Sequence, residues 1–265
     1  MTLNGKLTKM FATISVAALG LTACASDEEQ NQESGQGHQL ETLLATDARS
    51  DQRAAGAGAN MAMELGFDQV QPATDEALGA VRESAEERAG SAEEMTVNPQ
   101  SCASPIEALD WSPILASSDS MTRVDFGREN FSGVGSIEVA GISEDAGGEP
   151  EAADQVAAHQ QAVEEITTTC NDLTMMLADD SEPEWAELEY TFTAEPIETE
   201  SGSGLLWERY PTEGEGGQST TALTVMTDHE GHVIMVAFIG SGEIADDEFQ
   251  DISEAILASA VGQLE

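Results

Sequence analysis

The densest group of chemistry-bearing side chains is Asp228-His229-Glu230-Gly231-His232, two imidazoles and two carboxylates in one short stretch. These are ligand types for a divalent ion. Glu230-Gly231, however, carries the signal of a hairpin tip. His229 and His232 then flank the turn and need not converge, and a polar turn is the simpler reading. His159 falls on an apolar helical stripe and reads as a satisfied, half-buried histidine rather than a general base. The chain has 51 Asp and Glu, so any cleft would display carboxylate pairs and their presence carries no information. The acidic stretches at 143–151 and 178–184 lack EF-hand spacing. The Gly/Ser turns at 133–139 and 200–206 lack the spacing of a nucleophile elbow. No catalytic residue, metal ligand or cofactor is assigned.

Cysteine chemistry is more definite. The chain opens with Lys6 and Lys9, then an apolar run from Met10 to Leu21. That run is too short for a membrane helix, which takes about 20 residues, and fits the charged and apolar regions of a secretory signal. It ends in Leu21-Thr22-Ala23-Cys24, which resembles a bacterial lipobox. The resemblance implies diacylglyceryl transfer to Cys24 and cleavage after Ala23, so residues 1–23 read as a signal peptide. Two or more acyl chains, palmitate among them, hold a protein stably on a bilayer. The expected location is the extracytoplasmic face of the cell membrane. Export puts Cys102 and Cys170 in an oxidising compartment, where paired cysteines usually bridge. With Cys24 modified, they have only each other. A metal site would want more cysteines, and a nucleophilic cysteine would want a nearby base.

Charge narrows the partners. Both lysines precede Cys24, so the mature chain sets seven Arg against 51 acids, a formal charge of −44. That excludes nucleic acid, whose phosphates need cationic partners, and disfavours anionic membrane surfaces. Without lysine there is no P-loop, Schiff base or Ser-x-x-Lys nucleophile. Acids spread along a lysine-free chain point to adaptation to high salt, since self-repulsion destabilises the compact state when screening is weak. Melting temperature is expected to rise between low and molar salt; a flat response would break that reading.

Hydrophobic patterning supplies the elements that must position these groups. Residues 24–39 form a polar, acidic tether. Residues 40–95 are weakly helical, with Leu40, Leu43 and Leu44 on one stripe, a helix from Asp75, and an ambiguous Gly/Ala-rich piece between. From residue 96 the pattern sharpens into one domain ending at 265. Strands are predicted around Val124-Phe126, Ile137-Val139, Leu188-Tyr190-Phe192 and 204–211, and a hairpin over 219–242 whose second arm, Val233 to Ile239, is wholly apolar. Helices are predicted over 151–170, with Val156, His159, Val163 and Ile166 on the stripe, and over 245–264, with Phe249, Ile252, Ile256 and Ala260 inward. Short turns between late strands make the pairing mostly antiparallel. The fold class is α+β: an antiparallel sheet with helices packed on one face and one disulfide.

The pieces "NPQSC", "AAHQQAVEEITTTC", "HVIMVAFIG" and "DDEFQDISEAILASAV", in that order, are similar to the extracellular sensor domain of an actinobacterial Ser/Thr receptor kinase and its lipoprotein relatives. The resemblance covers about two-thirds of the chain. It implies an antiparallel sheet with helices, a ligand cleft and no catalysis. Those domains typically carry two disulfides, whereas this chain can form one. The expected function is a lipid-anchored, non-enzymatic surface protein holding an unknown ligand or envelope partner. An envelope-directed hydrolase using paired carboxylates is the alternative.

Overall fold

The computed structural model describes residues 40–264 except 89–94, 110–111, 113, 116–117, 119–120, 180–185 and 213–216. The expected signal peptide, Cys24 and the expected tether lie outside the described residues. Among the described residues there are nine strands: β1 (Gln69–Pro72), β2 (Val97–Asn98), β3 (Thr122–Gly127), β4 (Gly133–Gly141), β5 (Asp172–Asp179), β6 (Ala186–Glu198), β7 (Ser203–Pro211), β8 (Thr220–His229) and β9 (His232–Gly240). They form one sheet in the order β1-β3-β4-β9-β8-β7-β6-β5-β2, antiparallel throughout. The helices are α1 (Ser50–Glu64), α2 (Asp75–Arg88), α3 (Ala103–Glu107), α4 (Ala152–Thr168) and α5 (Asp247–Val261). This is the α+β class read from the sequence, with Cys102 bonded to Cys170 across a Cα–Cα distance of 5.7 Å.

The apolar β9 strand explains the layering. Side chains alternate along a strand, so Ile234, Val236 and Phe238 reach one face and Val233 and Met235 the other. All five are buried. A strand apolar on both sides needs cover on both sides. On the first face α1 and α5 enclose Ile137, Val139, Leu223 and Val225 with the first β9 set. On the second face Leu78 of α2, Val156 of α4, Ile114 and Leu115 cover Ala140, Met226, Val233 and Met235. Ile106 of α3 and Ile166 of α4 cover Leu173, Met175, Tyr190 and Leu205 further along. Helices expected on one face of the sheet therefore occupy two.

Residues 40–95 also take a larger part than their weak helical signal suggests. Ala54, Ala55, Ala59 and Ala62 of α1 are wholly buried in the main core, and β1 pairs with β3. Both join the sheet and core built by residues from 96 onward. The Gly/Ala-rich sequence is ambiguous because it has no large side chains to mark a stripe; it is helical because small residues let two backbones approach. A Cβ on Gly58 would run into Ile137 of β4 and press Ile256 of α5. Ser259 Oγ donates to the Ala57 carbonyl at 3.1 Å, joining α5 to α1. β1, β2 and β5 have no counterpart among the predicted strands. β1 and β2 are four and two residues long, too short to show a period. β5 has an acid at each end and a run of unbranched or γ-branched apolar residues, Met175, Met176 and Leu177, rather than an alternating pattern.

Candidate functional site

The hairpin tip is built as the sequence predicts, with Glu230 at φ 48° and Gly231 at φ 73°. Both central residues are left-handed, as a two-residue hairpin turn requires. The consequence for the histidines differs from the expectation: His229 and His232 are register partners across β8 and β9, so they share a face. His232 is committed elsewhere. Its Nδ1 lies 3.0 Å from the Glu230 carbonyl, which can only accept, so Nδ1 carries the proton. Nε2 then accepts from Ser50 Oγ at 2.9 Å, at the start of α1. His229 Nε2 is buried without a partner. Asp228 turns to the opposite face, where burial raises its pKa and a hydrogen bond from Gln160 lowers it. Among the described residues no group of three His, Cys, Asp or Glu could hold a metal ion.

A second polar group has no counterpart in the sequence reading. Arg123 Nη1 pairs with Glu138 Oε1 at 2.8 Å and its Nε with Asp125 Oδ1 at 2.8 Å. The Glu138 side chain is 1% exposed. Arg123 and Glu138 are register partners on β3 and β4. Ser112 donates to the other Glu138 oxygen. Burial raises the Glu138 pKa, and Arg123 counters it. On the alternating pattern of β4 this residue should face solvent; it is buried because the second face is covered. With each oxygen paired, Glu138 serves to hold the 112 segment against the sheet.

The open site lies between α3 and α4. It is a groove of about 410 Å³, within the range of small-molecule sites. One wall carries Ser101, Ser104, Pro105 and Ala108 from α3 and its flanks; the other carries Gln155, Ala158, His159, Gln161, Ala162 and Glu165 of α4. Each set repeats at the three- and four-residue spacing of one helix face. The gap exists because the facing residues are mainly Ala, Ser and Pro, too short to fill the space between two helix axes. The Cys102–Cys170 bond joins the start of α3 to the residues just past α4, so the walls are tied at one end.

His159 decides the character of this groove. It lies on the α4 stripe as predicted and is 7% exposed, yet it is not satisfied: Nδ1 has no partner, and neither does Oε1 of Gln155 one turn before it. Burial pushes the imidazole down to about 4, opposed by a hydrogen bond to the Ala108 backbone. The ring is therefore neutral near pH 7. Buried polar atoms are paired in the great majority of cases. The two unpaired atoms lie one turn apart beneath the groove wall, where the bonding of α4 is left incomplete. The apolar periodicity placed His159 correctly; nothing local in the sequence shows that its second nitrogen is left over.

No known protein-family model matches this chain, and no curated protein is similar enough to be matched. Among the described residues no helix is long and apolar enough to cross a membrane.

Proposed function

We propose that this is a lipid-anchored, non-enzymatic protein of the extracytoplasmic membrane face that binds a small ligand in the groove between α3 and α4. The observation that carries the reading is the buried His159 on the groove wall with Nδ1 unpartnered. The lipobox-like Leu21-Thr22-Ala23-Cys24 and the tether after it support the anchor. The likeness to receptor-kinase sensor domains supports a binding role and is itself part of the proposal. The alternative hydrolase needs two carboxylates facing each other about 5–9.5 Å apart. Among the groove's lining residues Glu165 is the single acid, which favours the binder.

Native mass spectrometry of protein extracted from its own membranes tests both halves. A diacylglyceryl adduct on Cys24 and a small co-purifying mass, lost in Ala158→Leu, are expected. An unmodified Cys24 would overturn the anchor. Cleavage of envelope glycans by the purified protein, abolished in Glu165→Gln, would replace the binder with the hydrolase.

A further inference from the structure

Ser50 and His232 stand 182 residues apart in the chain, yet Ser50 Oγ lies 2.9 Å from His232 Nε2, where the start of α1 meets the start of β9. A strut between helix and sheet would need no more than this bond. The structure adds a third member. His232 Nδ1 lies 3.0 Å from the Glu230 carbonyl, which only accepts, so the neutral ring carries its proton on Nδ1 and turns the Nε2 lone pair to the hydroxyl. A hydroxyl, a base within hydrogen-bond reach and a group that orients the base are the signature of an activated nucleophile. Here a backbone carbonyl takes the place that a carboxylate has in the Ser-His-Asp arrangement. Both partners are held. The left-handed Glu230-Gly231 tip fixes the carbonyl. Asp51 accepts from Thr122 Oγ1 at 2.8 Å and from Arg49 Nη2 at 2.7 Å, which pins the first turn of α1 to β3. Ser50 is half-buried and His232 buried, so a reagent meets the serine before the base. Because α1 starts at Ser50, the Ser50 and Asp51 amides have no acceptor within the helix, and the positive end of its dipole stands beside Oγ.

We propose that Ser50 is a nucleophile that becomes acylated by an uncharged carboxylic ester, with His232 as its base. Ser50 Oγ adds to the ester carbonyl carbon while its proton passes to His232 Nε2. The tetrahedral intermediate then collapses: the ester C–O bond breaks, and Nε2 returns the proton to the departing alkoxide. A serine ester and a free alcohol result, and no oxidant, reductant or water is consumed. The positive end of α1 favours the charge that develops on the carbonyl oxygen. The Glu230 carbonyl brings no full charge to the transient imidazolium, but the field of a chain with a formal net charge of −42 favours that cation. The same field repels anionic acyl donors, which makes an uncharged ester the class that reaches the site. Ser50 and His232 lie on the first face of the sheet, away from the α3–α4 groove. The step is stoichiometric and does not depend on the groove's ligand.

The test is reaction of the purified protein with 4-nitrophenyl acetate in about 1 M KCl, where charges are screened beyond about 3 Å. Absorbance follows the released 4-nitrophenolate, and peptide mass spectrometry locates the acetyl group. A single acetyl is expected on Ser50, formed at least about a hundredfold faster than on the exposed Ser101. The His232 ring resonances should shift as the hydroxyl donor is lost. Ser50→Ala should remove the burst of 4-nitrophenolate. His232→Gln, which keeps a hydrogen-bonding side chain at the strut but no base, should leave the melting temperature close to that of the unaltered protein and slow acetylation at least about a hundredfold. Acetylation of Ser50 no faster than that of Ser101, or without a change at His232, overturns the proposal on the unaltered protein, whatever the stability of the variants. A folded His232→Gln that reacts as fast overturns it too and leaves the pair a strut. Release that continues past one equivalent and is lost in Ser50→Ala supports the nucleophile and overturns the non-enzymatic reading of the protein instead.

Discussion

The two faces of the sheet solve the same packing problem with opposite results. On the first face α1 lies so close to β4 and α5 that Gly58 has no room for a Cβ. Five phenylalanines close the end of that layer: Phe67 meets Phe126 at 5.7 Å and Phe238 at 5.4 Å, and Phe131 and Phe249 stack at 5.5 Å. Arg128 lies 4.9 Å from the Phe67 centroid, capping the cluster through cation–π attraction. On the second face α3 and α4 also present small residues, but their backbones do not close up, and the space remains as a groove. Small side chains are therefore not themselves a sign of tight packing. They make close approach possible where a long helix has a second helix and a sheet to lie on. They leave a gap where a five-residue helix is tethered by a disulfide instead.

That contrast can be broken by experiment, beginning with the staple. Replacing Cys102 and Cys170 together by Ser, across a sequence separation of 68, is expected to cost about 4 kcal/mol on the chain-entropy model. The loss should appear as a lower melting temperature in the oxidised protein, and the His159 resonances should move while those of Phe67 stay. If Phe67 moved equally, the two faces would be one unit.

The pH dependence comes next. An imidazole titrating near 6.5 when unfolded and at about 4 when folded makes the unfolded state bind more protons between those values. Stability from this group is complete above pH 6.5 and falls as pH drops toward 4, by about 3 kcal/mol in total. His159→Gln should remove that part of the slope, read as the difference between the two proteins' denaturation midpoints across pH 4–7. Parallel curves would mean His159 is not held neutral by the fold.

The sharpest comparison is one change made on each helix. Gly58→Val overpacks a filled site and should cost about 1–3 kcal/mol. Ala158→Leu enlarges a side chain facing open space and should change stability by no more than about 0.5 kcal/mol. Urea unfolding of the pair checks both. Equal costs would mean that the groove is not open.

Much of this architecture is legible in the residues. The alternation of Leu188, Tyr190 and Phe192, the Glu230-Gly231 tip and the inward stripe of α5 are local patterns, and the structure has each of them. Glu138 is the instructive failure. Its position in β4 reads as a solvent-facing one, yet it lies beneath Ser112 and beside Arg123. Nothing within β4 announces the cover; the doubly apolar β9 beside it does. His159 is similar: its burial is periodic and visible, its unpaired nitrogen is not.

The sequence by itself determined the acidity of the chain and its α+β class, because each depends on composition or on neighbours a few residues apart. Tertiary structure alone decided that helices cover both faces, that a Gly/Ala run is a core helix and that α3 and α4 part to leave a groove. Those outcomes depend on how surfaces distant in sequence fit together, and fit is a property of the assembled layers rather than of any segment.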